Sequence, residues 1–380
     1  MRPWFLLLLT VLPNGASGQS QNRDIVVLRN AHGMTVRLLR QGAAVMAVEV
    51  PDRRGKIANV VLGYPEPADY RAKMRKNFFG ATVGRYAGRI AGARFSIDGR
   101  PVVLQANDGP NALHGGGTAG FETVDWHADA PKGGRRDQVT FTHVSPDGDQ
   151  GFPGRLTISV RYRLNPDNSL RIDYTARTTR PTVVNMTNHS YFNLAGEGSG
   201  SVERQRLQLA PARIVDTDAK GVPTGTFKDV ANTPLDFRCP RAIGERIDSP
   251  AVSPDGKGYN HAWLFDKPAG QLQVVAELTD PASGRTLAIE TTEPSIQVYT
   301  GGYIDGQDAG PSGHVYRPRD GIALEMQHLA DSPHHAAFPP TMLRPGQLYR
   351  QTTIWHFGGT KQLGAVAGRG CADPAGRGSP

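Results

Sequence analysis

Leu156-Thr157-Ile158-Ser159-Val160-Arg161-Tyr162-Arg163-Leu164 alternates apolar and polar residues at every step. It turns through Asn165-Pro166-Asp167-Asn168 and resumes the same alternation as Leu170-Arg171-Ile172-Asp173-Tyr174-Thr175-Ala176. A period of two places all the apolar side chains on one face of an extended chain. Two such runs joined by a Pro/Asn/Asp turn predict a half-buried antiparallel pair. Working outward, period two recurs from about residue 24 onward, rich in Val, Ile, Thr and Tyr. Phe95-Ser96-Ile97 and Val102-Val103-Leu104 flank Asp98-Gly99, a strong hairpin signal. Further strands are predicted at 139–143, 207–209, 272–278, 287–292, 296–300 and 322–326, and residues 66–76 alone suit a short helix. Short strands at close spacing with Gly/Pro/Asn/Asp turns define an all-β protein, a sandwich or barrel.

The 380 residues include 45 Gly and 29 Pro, about a fifth of the chain. That suits a turn-rich fold and is too little for a low-complexity chain. With 38% hydrophobic residues the chain can build a substantial core. Two cysteines, Cys239 and Cys371, cannot make a disulfide framework, and their pairing stays open. The formal charge is +8, yet basic residues are scattered, and the densest run, 71–76 (RAKMRK), is short. Nothing gathers that charge into a nucleic-acid-binding face. No apolar run approaches the roughly 20 residues of a membrane-spanning helix. Met1-Arg2-Pro3, the apolar stretch 4–12 and Ala16-Ser17-Gly18 match a secretory signal peptide over 1–18, which predicts a secreted or periplasmic mature protein. No composition break divides 24–357, read as a single domain. The last stretch, 359–380, is Gly/Ala/Pro-rich without period and reads as a disordered tail.

Three segments concentrate polar groups. In Asn111-Ala112-Leu113-His114-Gly115-Gly116-Gly117 a histidine precedes three glycines, which let backbone approach a ligand closely. Asn185-Met186-Thr187-Asn188-His189-Ser190-Tyr191-Phe192-Asn193 surrounds a second histidine with hydrogen-bonding side chains. Leu324-Glu325-Met326-Gln327-His328 sets a carboxylate between apolar neighbours, so Glu325 is either a surface position or a buried group with a purpose. Eleven histidines raise the question of a metal. No pair has zinc-hydrolase spacing, adjacent His334 and His335 would point to opposite faces of a strand, and His328 with Asp331 completes no set. There is no G-x-S-x-G elbow and no P-loop.

At these residues the chain strongly resembles the aldose 1-epimerases (mutarotases), which interconvert the anomers of free sugars. The resemblance runs in order through Asn77-Phe78-Phe79-Gly80, Gly84-Arg85-Tyr86-Ala87-Gly88-Arg89-Ile90, the His114 and His189 segments, and Gly258-Tyr259-Asn260-His261. It continues through Gln297-Val298-Tyr299-Thr300-Gly301, Leu324-Glu325-Met326-Gln327-His328, Asp331-Ser332-Pro333, Phe338-Pro339 and Leu343-Arg344-Pro345-Gly346. It implies a large antiparallel β-supersandwich, no cofactor, and a small sugar as the partner, with no nucleic acid and no membrane in the mature form. By position it implies His189 as general acid and Glu325 as general base, with Arg89, His114, Tyr191, Asn260 and Gln297 contacting the sugar. Three departures bear on specificity: Gly88 and Gly302 where the family commonly has Asn, and Asn260 where it commonly has Asp. The preferred sugar and the oligomeric state are left open.

The chemistry asks for such a pair. Opening a cyclic hemiacetal takes a proton from the anomeric hydroxyl, a weak acid, and gives one to the ring oxygen, a weak base. A base and an acid acting together avoid both high-energy ions, each contributing roughly 10²–10⁴-fold. From reference pKa values of about 4.3 and 6.5, Glu325 is expected ionised and His189 partly protonated at neutral pH. Two other readings stay alive: a non-catalytic carbohydrate-binding protein, and a glycoside hydrolase, which needs a second carboxylate facing Glu325.

Overall fold

The alternating runs at 156–176 pair in a computed structural model that describes residues 24–129, 136–210 and 212–358. The expected leader, the expected tail and Cys371 lie outside the described residues. Leu156–Leu164 and Ser169–Thr178 form the centre of a nine-stranded antiparallel sheet, with Leu156 opposite Thr178 and Leu164 opposite Leu170. A six-stranded antiparallel sheet faces it, in the order Tyr191–Phe192, Ile322–Gln327, Ser295–Tyr299, Asn260–Phe265, Ala212–Thr217, Pro223–Asp229. A four-stranded sheet from Ile25–Arg29 to Ile57–Asn59 flanks them. The fold is thus all-β, as the period of two predicts.

Period two also decides which side chains meet. Val160, Ile172, Ile289 and Trp355 of the larger sheet pack with Phe192, Ile296, Leu324 and Met326 of the smaller in one apolar cluster. Burial of each is worth about 1.5–3 kcal/mol. The alternate residues of the smaller sheet, Tyr191, Gln297, Tyr299, Glu325 and Gln327, therefore face away from this core and line a cleft. Tyr349–Phe357, hydrogen-bonded between Ser169–Thr178 and Thr286–Thr291, is a strand the alternation rule misses. Polar residues stand on both of its faces, Gln351 and Thr353 on one and Arg350, Thr352 and His356 on the other, so the sequence shows no apolar–polar alternation to reveal it.

The one α-helix among the described residues, Pro67–Asn77, is the one expected. Proline occupies its first turn, and Phe78 ends it in the left-handed conformation, its N–H donating to the Met74 carbonyl. The basic run 71–76 lies on this helix and is neutralised within the chain. Arg71 pairs with Asp24 and Asp125, Lys73 with Asp69 and Asp308, Arg75 with Glu122, and Lys76 with Asp305 and Asp308. No helix among the described residues is long and apolar enough to cross a membrane.

Beyond the helix the chain passes through Gly80, whose N–H donates to the His189 carbonyl (3.0 Å), while its own carbonyl accepts from Val45 N–H and the Asn188 side chain. Gly80 has φ +67°, and a Cβ there would run into the Val45 carbonyl. Only glycine fits this contact, and the contact fixes where His189 sits.

Candidate active site

His189 lies between the short strands Thr187–Asn188 and Tyr191–Phe192. Its N–H donates to the Ala81 carbonyl (2.8 Å). Neighbouring Asn188 accepts from the Ser190 N–H and hydroxyl, which holds the turn. The imidazole stacks on Phe78, with ring centroids 5.8 Å apart, and packs against Tyr191 at 5.0 Å. Its Nε2 is 3.6 Å from Glu325 Oε1, beyond a direct hydrogen bond. His189 Nδ1 and Glu325 Oε2 have no hydrogen-bond partner in the protein. Both side chains are almost fully buried, 5% and 3% exposed. Two unsatisfied titratable groups at the floor of a cleft are an arrangement that folding alone does not favour.

The other expected residues converge on the same cavity of about 480 Å³, a size typical of small-molecule sites. His114, at φ +50°, accepts the Gly88 N–H on Nδ1 (3.2 Å). That bond puts the ring proton on Nε2 and makes neutral His114 a donor. Burial, reinforced by His189, Arg89 and Arg75, holds its pKa well below the usual histidine range. Arg89 Nε donates to Asp108 (2.7 Å). Gln297 lies opposite Glu325 across the strand pair and donates to Asn260 Oδ1 (2.8 Å). This leaves the Gln297 carbonyl oxygen and the Asn260 amide N–H for a ligand. Burial holds the Tyr191 phenol far above its usual pKa, so it stays protonated.

The cavity also takes in Phe78, Asp108, Tyr299 and Gln327, which the sequence reading did not assign to the site. Period two carried a signal for two of them, since Tyr299 and Gln327 lie two residues from Gln297 and Glu325 on the same strands. Asp108, in a loop, carried none. The neighbouring Arg85, in the same motif as Arg89, is elsewhere: its guanidinium is buried against the Ser145 hydroxyl and the Pro153 and Gly154 carbonyls.

Two of the three departures have steric reasons. Gly88 adopts φ +80°, and a Cβ there would come within 2.7 Å of the Ala330 Cβ. A side chain at Gly302 would meet the Lys257 carbonyl.

Two expectations need correction. His334 and His335 do not diverge on a strand. They sit on a short turn where His334 Nδ1 and His335 Nε2 both reach Asp331, at 2.6 and 3.3 Å. His328 instead pairs with Glu293 (2.8 Å). No cluster of three His, Cys, Asp or Glu among the described residues is arranged for a metal. The second correction concerns protonation. Burial pushes Glu325 up to about 8 and His189 down to about 4, which favours a neutral carboxyl beside a neutral imidazole over an ion pair.

The proton count is nonetheless the one catalysis needs. Neutral Glu325 with neutral His189 carries one exchangeable proton, as does ionised Glu325 with protonated His189, and the apparent pKa values belong to the pair. This state spans about pH 4 to about 8. Above it the pair loses its proton and has no acid; below it a second proton leaves no base. We expect a bell-shaped kcat/KM with those limbs. A pH–rate profile still flat at about pH 10 would refute the pair, because neither group would then be the acid.

The family model described as Aldose 1-epimerase matches residues 24–356. The chain is 39% identical to galactose mutarotase of Rattus norvegicus over 324 residues, covering 85% of this chain and 91% of that protein. It is 37% identical to aldose 1-epimerase of Escherichia coli K12 over 335 residues, covering 88% and 94%. Among solved structures, an aldose epimerase homologue from C. elegans superposes with TM-score 0.79 at 28% identity, covering 88% of this chain and 98% of that one. Galactose 1-epimerase from Lactobacillus acidophilus gives 0.75 at 28% identity, covering 87% and 93%.

Proposed function

The chain belongs to the aldose 1-epimerase family and is an isomerase acting on aldoses, and from that premise we propose that it interconverts the α and β anomers of free glucose and galactose using His189 and Glu325. The observation carrying this reading is the buried, unsatisfied pair, 3.6 Å apart, on the floor of the cleft. A sugar anomeric centre between them supplies the missing partners. Hydroxyl donors bound to Glu325 stabilise its carboxylate, moving the shared proton toward His189. Glu325 then takes the anomeric hydroxyl proton while His189 gives one to the ring oxygen, and the ring C–O bond breaks to the open aldehyde. Rotation about the C1–C2 bond presents the other aldehyde face. Closure runs the two transfers in reverse and returns both groups to their starting states.

Around the reacting centre, neutral His114 and Arg89 donate to sugar oxygens, the guanidinium able to bridge two acceptors. Asn260 and Gln297 supply one donor and one acceptor from the opposite strands. The hydrolase reading lacks its second free carboxylate, since Asp108, the other carboxylate lining the cleft, is bound by Arg89. Polarimetry of freshly dissolved α-glucose and α-galactose tests the proposal. Accelerated decay to the equilibrium rotation is expected, and decay no faster than buffer would overturn it. We propose too that the protein is exported and loses residues 1–18. Mass spectrometry of exported material should find them absent.

A further inference from the structure

One motif of the resemblance, Asp331-Ser332-Pro333, has no part in the site described above. It follows the Glu325 strand, but whereas Leu329 and Ala330 line the cleft, Asp331 does not. Asp331 is 2% exposed and left-handed, at φ +57°, a conformation that Asp and Asn tolerate better than most side chains. Its backbone N–H donates to the Arg89 carbonyl (2.8 Å), and its Oδ1 accepts from the Ala91 N–H (2.9 Å). His334 Nδ1 and His335 Nε2, at 2.6 and 3.3 Å, hold that side chain in place.

The strand that carries Arg89 is two residues long, Arg89–Ile90, and pairs with Ala112–Leu113 along one edge. On that edge His114 also grips Gly88, donating its N–H to the Gly88 carbonyl (3.1 Å). Alternate residues of an extended chain turn their N–H and C=O groups to opposite edges. The Arg89 carbonyl and the Ala91 N–H therefore face away from that ladder, and Asp331 meets both. The same two segments are tied twice more. The Asn185 amide donates to the Ala87 and His328 carbonyls (3.0 Å each), and the Tyr86 hydroxyl accepts from the Ser332 N–H (3.1 Å).

We propose that Asp331 is a positioning residue for sugar binding: by bonding the backbone on both sides of Ile90 it fixes Arg89 relative to Glu325, so that the guanidinium meets the sugar oxygens while the anomeric carbon lies at the buried pair. This rests on the epimerase reading above. Arg89 already spends its Nε on Asp108 (2.7 Å), so its remaining donors reach the sugar only from the correct backbone position. Such contacts tolerate a displacement of about 0.5 Å, and a two-residue ladder bonded along one edge alone has more freedom than that. Because Arg89 holds the sugar before and during ring opening alike, its misplacement weakens binding more than turnover.

The test is polarimetry of fresh α-glucose over a range of concentrations with wild type, Asp331→Gly and Asp331→Asn, beside thermal melts. Glycine accepts the left-handed backbone but removes the side chain. Asparagine accepts it too and keeps an oxygen for the Ala91 N–H. We expect Asp331→Gly to raise KM about tenfold, the size of one charge-assisted hydrogen bond, with kcat within about threefold of wild type. Asp331→Asn should hold KM within about threefold. A residue that only supports the fold would instead lower the active fraction, and so the apparent kcat, with KM unchanged. That pattern would overturn the proposal. So would an Asp331→Asn as impaired in KM as Asp331→Gly, or an Asp331→Gly chain that does not fold. In each of those cases a wild type that accelerates mutarotation leaves the epimerase reading standing; a wild type that does not would overturn the reading and the proposal together.

Discussion

Glu325→Gln should leave a folded protein that binds sugar and has lost nearly all turnover. The amide matches the carboxyl in shape but cannot take the anomeric proton. The loss should therefore fall on kcat more than on sugar affinity, by about 10²–10⁴-fold, or about 3–5 kcal/mol of barrier. The structure adds a reason for the fold to survive. Burial already drives Glu325 toward its neutral form, so a neutral isostere at this 3% exposed position asks for little new desolvation. The thermal midpoint should stay within a few degrees, since about 1 kcal/mol moves a domain of this size by only about 2–4 °C. Retention of more than about a tenth of wild-type kcat would be incompatible with a general base at this position.

His189→Asn should slow turnover by a similar order while sugar binding stays measurable. Asparagine still donates a hydrogen bond but delivers no proton to the ring oxygen. The competing view is that His189 braces the surrounding polar turns. The structure separates ring from brace: Asn188 holds Gly80 and Ser190, and Asn193 holds the Gly200 and Asp320 carbonyls, none of them through the imidazole. What the ring contributes to stability is its contact with Phe78 and Tyr191, worth about 0.5–1.5 kcal/mol per aromatic pair. A modest fall in melting temperature is expected alongside a large fall in kcat. If stability collapsed while kcat per folded molecule held, the acid would have to be another group.

Much of this protein is decided by local sequence. Alternation at 156–164 and 170–176 makes strands whatever lies around them, because successive side chains of an extended chain must point to opposite faces. The same rule assigns Leu324 and Met326 to the core and Glu325 to the other face. The helix at 67–77 begins at a proline and ends where Phe78 turns left-handed, and both signals are local. The seven residues that the structure gathers in the cleft were legible through a family resemblance spread over 270 positions, from Asn77 to Gly346, not through any short motif.

Only the tertiary structure decided how those residues are charged and which of their neighbours matter. A pKa depends on water excluded by segments far away in the chain, and here that exclusion inverts the expected ionisation of His189 and Glu325. The tautomer of His114 depends on Gly88, 26 residues earlier. Arg85 and Arg89 are four residues apart and chemically identical, yet one is buried under loop carbonyls and the other lines the cleft. Asp331 gathers His334 and His335 because the chain turns there instead of extending. Each of these outcomes is set by contacts between distant residues, and a period of two carries no information about what lies across a cleft.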